Sequence, residues 1–296
     1  MTRGRLDAAT GAFVAHRNLL FTVAYEMLGS AADAEDVLQE TWLRWADVDA
    51  AQVRDPRAYL VRITTRQALN RLRTLARRKE TYVGPWLPEP LLTSPDLAED
   101  VELAESVSMA VLLVLETRGP TERAVFVLRE VFDLPYDEIA AAVDKTPAAV
   151  RQIASRARNH VDARRPRATV ASGERDAVTE RFMAAVSTGD LQSLMDVLAP
   201  DVVLITDGGG HKKAALRPIQ GLDKVMRFFS AVFPDDVEAR AEPVLVNGQV
   251  GLRLLADGVL DTVATWRVDG GLVTGLYFVR NPHKLGRLAE EVALSR

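Results

Sequence analysis

The sequence predicts a multidomain protein in which two all-α domains, the second with a helix-turn-helix, precede an α+β cone. Three observations lead to this prediction. Apolar residues recur at helical spacing over most of the first 165 residues, and an acidic, proline-rich stretch divides them into two groups. Beyond residue 200 the apolar runs are short and strand-like. Asn-Gly and Asp-Gly pairs separate the last of these runs, which is typical of an antiparallel meander.

Composition restricts the class of protein. The 296 residues are 48% hydrophobic, which is enough for the cores of two or three domains. The absence of cysteine excludes a disulfide framework or a thiolate metal site and is consistent with a reducing cytoplasm, where we expect the protein to act. No apolar run approaches the roughly 20 residues of a membrane span, and the first residues lack the apolar core of a signal peptide. The four histidines have no metal-ligand spacing, so we expect no structural zinc and no cofactor.

Residues 1–80 are predicted to form the first helical domain. One helix covers about 12–28 and ends at Gly29, a second covers 33–45 with Asp33 as its cap, and a third begins at Asp55-Pro56. The third helix is strongly basic, because residues 54–79 hold nine Lys or Arg and one acid. Such a face is either simply solvated or binds a polyanion, and the excess of one sign favours the polyanion.

Residues 81–106 are predicted to be a linker. The stretch from residue 80 to 106 holds four prolines, seven acids and no Lys or Arg. Closely spaced prolines favour a stiff, extended backbone. Trp86 and the leucines around it argue against a purely solvated tether, so we expect this segment to dock on another surface.

Residues 107–167 are predicted to form the second helical domain, which ends in a helix-turn-helix at residues 134–165. Pro135 can open its first helix, and Thr146 followed by Pro147 is typical of an N-cap and a first helical residue. Residues 144–167 hold seven Lys or Arg and two Asp, a local charge of +5 in a chain of net charge −4. A DNA-reading helix and an ordinary hairpin with a solvated basic face both fit, and the charge favours DNA.

Residues 174–296 are predicted to form the α+β cone. We expect helices near 177–187, 191–198 and 222–233, a final helix near 284–294, and strands at 202–206, 241–246, 250–256, 259–268 and 272–279. Helices followed by a curved antiparallel sheet favour a cone or half-barrel.

The sequence resembles the extracytoplasmic-function (ECF) sigma factors of bacterial RNA polymerase. DAEDVLQETWLRW and the basic third helix resemble region 2, and the segment from ERAVFVLREVF through the helix-turn-helix resembles region 4. The remainder resembles the subgroup with a SnoaL-like (NTF2-like) C-terminal domain. Three strings carry that likeness: WLPEP from Trp86, DGGG from Asp207 and NPHKL from Asn281.

This resemblance implies a sigma factor that directs promoter-specific transcription initiation, regulated by its own C-terminal domain. The implied partners are core RNA polymerase and promoter DNA, with a small-molecule ligand of the C-terminal domain as a further possibility. The implied polymerase contacts are Asp36, Gln39, Glu40, Leu43 and Arg44. The implied DNA contacts are Arg62, Arg66, Asn70, Arg71 and Arg73 for the downstream promoter element, and Arg151, Gln152, Ser155 and Arg156 for the upstream element. The implied regulatory contacts are Trp86, Leu87, Pro88, Glu89, Asp207, Gly208, Gly209, Gly210, His211, Asn281, Pro282 and Lys284.

Two other functions remain open from sequence. A plain DNA-binding repressor or activator would bind duplex promoter without polymerase. A cyclase-type enzyme with a DNA-binding appendage would need a general base in its cone, for which Asp207, His211 and Asp261 are the candidates. A turn capped by Asp207 explains the three glycines without catalysis, so we predict that the protein is not an enzyme.

Overall fold

The computed structural model describes residues 3–94, 96–97, 100–163, 172–232, 239–286, 288 and 291–296.

The first helical domain packs three helices around a core that includes Trp45, whose indole Nε1 donates to Ala9 O at 2.8 Å. Ser30, and not the predicted Asp33, is the N-cap of the second helix, since its Oγ accepts from Asp33 N at 3.2 Å. The predicted cap Asp55 is confirmed, because its Oδ1 accepts from Ala58 N at 3.0 Å. The elements are α1 (Arg3–Leu28), α2 (Ala31–Ala46), a 3₁₀ turn (Ala50–Gln52) and α3 (Pro56–Glu80).

The second helical domain contains the predicted helix-turn-helix. Thr146 Oγ1 accepts from Ala149 N at 3.2 Å and caps the second helix, as predicted, while Asp144 takes a left-handed conformation in the turn. Gly119 is the N-cap of the helix that begins at Pro120, a residue that favours the first helical position. The elements are α4 (Val101–Ser106), α5 (Met109–Glu116), α6 (Pro120–Phe126), a π-helical turn (Val127–Val131), α7 (Tyr136–Val143) and α8 (Pro147–Asp162).

The third domain is an α+β fold with one six-stranded sheet of order β2-β1-β6-β5-β4-β3. The predicted antiparallel meander is present in β3–β6, while β1 pairs with β6 in parallel and the short β2 was not predicted. The elements are α9 (Ser172–Thr188), α10 (Leu191–Val197), β1 (Leu198–Asp207), β2 (Ile219–Gln220), α11 (Leu222–Val232), β3 (Ala239–Val246), β4 (Gln249–Ala256), β5 (Val259–Asp269), β6 (Leu272–Val279) and α12 (Pro282–Leu285).

The two faces of this sheet have different partners. On the inner face, aromatic rings from the helices meet rings from the strands: Phe182 lies 4.9 Å from Trp266, and Phe229 stacks on Phe278 at 5.9 Å between centroids. On the outer face, residues such as Val263 and Val279 pack against the linker residue Leu87 and against α5. The sheet therefore lies between its own helices and the rest of the protein.

The linker and the last residues extend the sheet. Leu92 pairs antiparallel with Val246 of β3, and Thr93 pairs in parallel with Val292. The predicted final helix near 284–294 is wrong, because α12 ends at Leu285 and Val292 N donates to Leu92 O at 2.8 Å. Residues 291–296 are thereby extended, and they reach α1, where Ser295 N donates to Thr22 Oγ1 at 3.1 Å.

Candidate functional site

The linker is bound by a buried carboxylate of the third domain. Asp207, at the end of β1, is fully buried, and it accepts from the Tyr82 hydroxyl at 2.6 Å and from Leu87 N at 2.9 Å. Lys284 Nζ donates to the same carboxylate at 2.7 Å and also to Leu87 O. Both polar groups of the Leu87 backbone are therefore bound by residues of the third domain.

Two aromatic residues of the linker lie against the Lys284 ammonium. Lys284 Nζ lies 4.1 Å from the centroid of Trp86 and 5.1 Å from that of Tyr82, both within cation–π range. Asn281 caps α12 by accepting from His283 N at 3.0 Å and donates to the Tyr82 hydroxyl at 2.8 Å. Burial and then the Asp207 carboxylate raise the pKa of Tyr82, so its hydroxyl remains a donor to Asp207.

The glycines after Asp207 permit this close approach. A Cβ on Gly209, which has a φ of +58°, would lie 2.2 Å from Asn281 Nδ2, and one on Gly208 would lie 2.2 Å from Lys212 O. A Cβ on Gly210 would lie 3.3 Å from linker residue Val83. The loop ends in the exposed His211, whose ring meets that of exposed His283 at 4.5 Å, beside exposed Pro282.

The next linker residues bind the first helical domain. Glu89 is buried, and its Oε2 accepts from Ala31 N at 2.8 Å and from Ser30 Oγ at 3.1 Å, at the N-terminus of α2. Its backbone N donates to Gly29 O at 2.8 Å and its carbonyl accepts from the Tyr25 hydroxyl at 2.6 Å. A carboxylate at a helix N-terminus is stabilised by the free amides and the helix dipole. Pro88, on its N-terminal side, is buried.

Asn247, which sequence reasoning missed, joins all three domains. It lies in the turn between β3 and β4 with a φ of 53° and is 1% exposed. Its Nδ2 donates to the Tyr25 hydroxyl at 2.6 Å and to Val107 O at 2.8 Å, and its Oδ1 accepts from Leu91 N at 3.0 Å. The only signal in the sequence was the Asn-Gly turn, which says nothing about these partners.

A second missed cluster lies between the two helical domains. Glu26 of α1 is fully buried, and its Oε1 accepts from Ser106 Oγ at 2.8 Å. Arg123 of α6 is 2% exposed, donates to Glu26 O at 2.9 Å and pairs with Glu116. Burial raises the pKa of Glu26 to about 8. No sequence pattern marked these residues, since each lies inside an ordinary helix.

The residues expected to bind polymerase lie along one side of α2, opposite the buried Val37, Leu38 and Trp45. Leu43 is 66% exposed and is an apolar residue among the polar and charged residues of this side. The five exposed residues of this side are Asp36, Gln39, Glu40, Leu43 and Arg44.

The residues expected to bind the downstream element are not equivalent in α3. Arg66, Asn70 and Arg73 are exposed, whereas Arg62 lies 4.8 Å above the Tyr59 ring and Arg71 bonds to α2. Arg66 Nη2 also donates to Ala141 O of α7 at 2.8 Å. One exposed cation of α3 is thus bonded to the first helix of the helix-turn-helix.

The residues expected to bind the upstream element share one face of α8. The opposite face is buried through Val150, Ala154, Ala157 and Val161. The exposed face carries Arg151, Gln152, Ser155 and Arg156.

The candidate general bases lie outside the cone. Along β1 the inner-face residue Leu204 alternates with Ile205 and Asp207 on the outer face, and Asp261 lies at the register shift between β4 and β5, next to outer-face Leu260. Asp261 also forms an ion pair with Arg280 at 2.8 Å. Burial alone would raise its pKa, but the hydrogen bond from Thr262 and the Arg280 charge outweigh burial and lower it. Neither carboxylate is placed to act on a molecule inside the cone.

The described residues contain neither a membrane-spanning helix nor a group of metal ligands. None of their helices is both long and apolar enough to cross a membrane. Within the same residues, no three His, Asp or Glu side chains are grouped so that they could hold a metal ion.

Comparison with known proteins identifies the domains. Residues 12–78 match the family Sigma-70 region 2, residues 109–161 match Sigma-70 region 4, and residues 179–276 match the SnoaL-like domain. The ECF RNA polymerase sigma factor SigJ of Mycobacterium tuberculosis is 37% identical over 289 residues, which cover 92% of this chain and 91% of SigJ. The probable sigma factor SigI of the same species is 32% identical, covering 97% and 98%.

A solved structure has the same overall architecture. The crystal structure of M. tuberculosis SigJ aligns with a TM-score of 0.77 and 34% identity, covering 95% of this chain and 99% of that one. Sequence and structure therefore agree over nearly the whole length. This chain belongs to the extracytoplasmic-function sigma factors of RNA polymerase and carries a SnoaL-like C-terminal domain.

Proposed function

We propose that the protein directs core RNA polymerase to its promoters and that its SnoaL-like domain inhibits it by binding the linker. The observation that carries the proposal is the fully buried Asp207, whose three donors are the Tyr82 hydroxyl, Leu87 N and Lys284. Two of those donors belong to the linker between the two helical domains. A protein that acts with core polymerase works where the polymerase is, so we place it in the cytoplasm.

The exposed side of α2 is the proposed polymerase-binding face. It combines carboxylates and an amide with the exposed Leu43, and such a surface complements a basic partner with an apolar contact point. Exposed charges alone contribute little to affinity, so we expect Leu43 to matter as much as Asp36 or Glu40.

The basic faces of α3 and α8 are the proposed promoter-binding faces. The exposed Arg66, Asn70 and Arg73 suit single-stranded DNA, because Arg can grip phosphates and an Asn amide can bond to a flipped base. The exposed face of α8 suits the major groove of the upstream element, where one bidentate Arg–guanine contact gives about 1–3 kcal/mol of discrimination.

The packing of α3 on α7 supports inhibition in the free protein. Arg66 bonds to the carbonyl of Ala141, so this residue cannot grip a phosphate with the same Nη2. Two promoter elements separated along a duplex require the two helical domains to separate as well. Residues that hold the linker compact therefore oppose promoter binding, and their release activates it.

Asp207 is the best place to break this inhibition. Asp207→Asn removes the buried negative charge beside Lys284 at the site that also binds Leu87 N, and breaking a buried ion pair costs about 3–5 kcal/mol. We propose comparing Asp207→Asn with the control Asp261→Asn. The control changes the same residue type on the same sheet face, in a residue that pairs with Arg280 and Lys212 instead of the linker.

The test is transcription by purified core polymerase with each protein. We expect several-fold more transcript from Asp207→Asn than from wild type and from Asp261→Asn. Chains ending near residues 167 and 285 extend the series. Equal activity of both shortened chains and the full-length protein would exclude a regulatory role. Transcripts from none of them would exclude the function, and tight duplex binding without polymerase would indicate a repressor or activator instead.

Catalysis by the SnoaL-like domain is not part of the proposed function. The inner face of its sheet is lined by packed rings, including the Phe182–Trp266 and Phe229–Phe278 pairs, and both carboxylates considered as bases lie on the other face. A small-molecule ligand inside the cone would contact these apolar rings, so we expect such a ligand to be apolar.

A further inference from the structure

Arg71 joins the helix of the proposed polymerase face to the helix of the proposed downstream promoter face. It belongs to α3, but its guanidinium reaches α2, where Nε donates to Asp33 Oδ1 at 2.7 Å and Nη2 donates to Asp36 Oδ2 at 2.8 Å. The Asp33 side chain is 13% exposed and that of Asp36 is 53% exposed. Arg71 therefore has one sheltered carboxylate partner and one that is open to another molecule.

Gln67 forms a second link one helical turn earlier on α3. It is 6% exposed. In the amide orientation that satisfies both neighbours, its nitrogen donates to Glu40 Oε2 at 3.0 Å and its oxygen accepts from Arg44 Nε. Residues four apart lie on the same side of a helix, so Gln67 and Arg71 face α2 together. Three residues of the proposed polymerase face are thus bonded to α3.

The environment of Arg71 differs from that of a phosphate-binding arginine. Two carboxylates largely compensate its charge, and its side chain is only 26% exposed. Arg73 of the same helix is exposed and bonds to the neutral Asn70 amide at 2.9 Å, so its positive charge is available to a polyanion.

We propose that Arg71 is a positioning residue that couples polymerase binding on α2 to promoter binding on α3 and does not itself bind DNA. This inference rests on the proposed function of the two helices. Arg71 Nη2 binds Asp36 Oδ2 and so holds that carboxylate in position for a basic partner, while Asp33 retains the guanidinium. Polymerase binding is then transmitted to the position of α3 through one side chain.

The test separates the two roles by two measurements on each variant. Fluorescence anisotropy gives the affinity of labelled sigma factor for core polymerase. The promoter fragment is selected from a random library by the wild-type holoenzyme. The affinity of holoenzyme for this fragment is then measured at several salt concentrations, and the slope of log affinity against log salt counts phosphate contacts. The variants are Arg71→Ala and Arg71→Lys, and the matched controls on the same helix are Arg73→Ala and Arg73→Lys.

We expect both Arg71 variants to weaken binding to core polymerase about tenfold, since an Asp36 that is no longer held in position loses a charge-assisted hydrogen bond to the partner, and to leave the salt slope unchanged. Arg71→Lys should not rescue affinity, because an ammonium cannot bridge two carboxylates as a guanidinium does. Arg73→Ala should lower the salt slope by about one without changing core affinity, and Arg73→Lys should restore the slope.

A double-mutant cycle adds a measurement that loss of folding cannot imitate. If Arg71 acts through Asp36, then combining Arg71→Ala with Asp36→Asn should weaken core binding little more than either change alone. Normal core affinity of Arg71→Ala together with a reduced salt slope would overturn the inference and make Arg71 a DNA contact. Failure of the wild-type holoenzyme to bind any promoter would instead overturn the proposed function.

Discussion

The buried Glu26 predicts how the stability of the protein depends on pH. Its carboxyl lies between the two helical domains, faced by Ser106 of α4, by Arg123 of α6 with its partner Glu116 of α5, and by Tyr25 of α1. Burial raises the pKa of this carboxyl from 4.5 to about 8. The folded protein thus binds a proton that the unfolded chain has released at neutral pH.

The sign of the effect follows from linkage. Because the folded-state pKa is above the unfolded value, the contribution of Glu26 to the free energy of unfolding is fully present below pH 4.5 and is lost as the pH rises to about 8. Each unit of pKa difference corresponds to about 1.4 kcal/mol, so the loss approaches roughly 5 kcal/mol. Glu26→Gln keeps an acceptor for Ser106 but does not titrate, so the variant should not lose this stability as the pH rises.

The assay is urea unfolding, followed by circular dichroism between pH 5 and pH 8. We expect Glu26→Gln and wild type to have similar free energies of unfolding at pH 5 and the variant to be more stable by several kcal/mol at pH 8. Glu35→Gln is the control, because Glu35 forms a partly exposed ion pair with Arg17 in the same domain. A difference between wild type and Glu26→Gln that stays constant across this range would refute the reasoning.

Three further changes test individual contacts. Asn247→Ala should lower the free energy of unfolding by about 2–4 kcal/mol in urea titrations, since it removes one hydrogen bond from each of three buried groups, the Leu91 amide, the Val107 carbonyl and the Tyr25 hydroxyl; a loss under 1 kcal/mol would contradict its bridging role. Gly209→Ala should lower the melting temperature more than Gly258→Ala, because both have positive φ but a Cβ meets atoms within 4 Å only at Gly209; equal losses would mean that Asn281 moves freely. Glu89→Gln should cost about 1 kcal/mol at the N-terminus of α2, and a loss below about 0.3 kcal/mol would argue against a charge effect.

The elements that the sequence predicted well depend on local signals. The helix-turn-helix follows from Thr146 and Pro147, whose capping roles act within a few residues. The meander follows from turns such as Asn247-Gly248, where positive φ favours these residue types. The exposure of the α2 and α8 faces follows from helical periodicity, because the opposite faces are apolar.

The parts that were missed depend on contacts between distant segments. Asn247 binds Tyr25, 222 residues away in the chain, so its turn was visible in the sequence and its partners were not. The final helix was predicted from local propensity, but Val292 pairs with the linker as an extended segment. Arg71 was grouped with the other cations of α3, because sequence alone does not show that Asp33 and Asp36 lie within reach.

The distance between the two helical domains tests whether the SnoaL-like domain holds the free protein in a compact, inhibited state. The chain has no cysteine, so spin labels on cysteines placed at the exposed Thr74 of α3 and Asn159 of α8 report a single distance. We expect one short distance in the free protein and a longer one after Asp207→Asn or addition of core polymerase, with Asp261→Asn like wild type. Identical distance distributions for wild type, Asp207→Asn, Asp261→Asn and wild type with core polymerase would contradict inhibition through the linker.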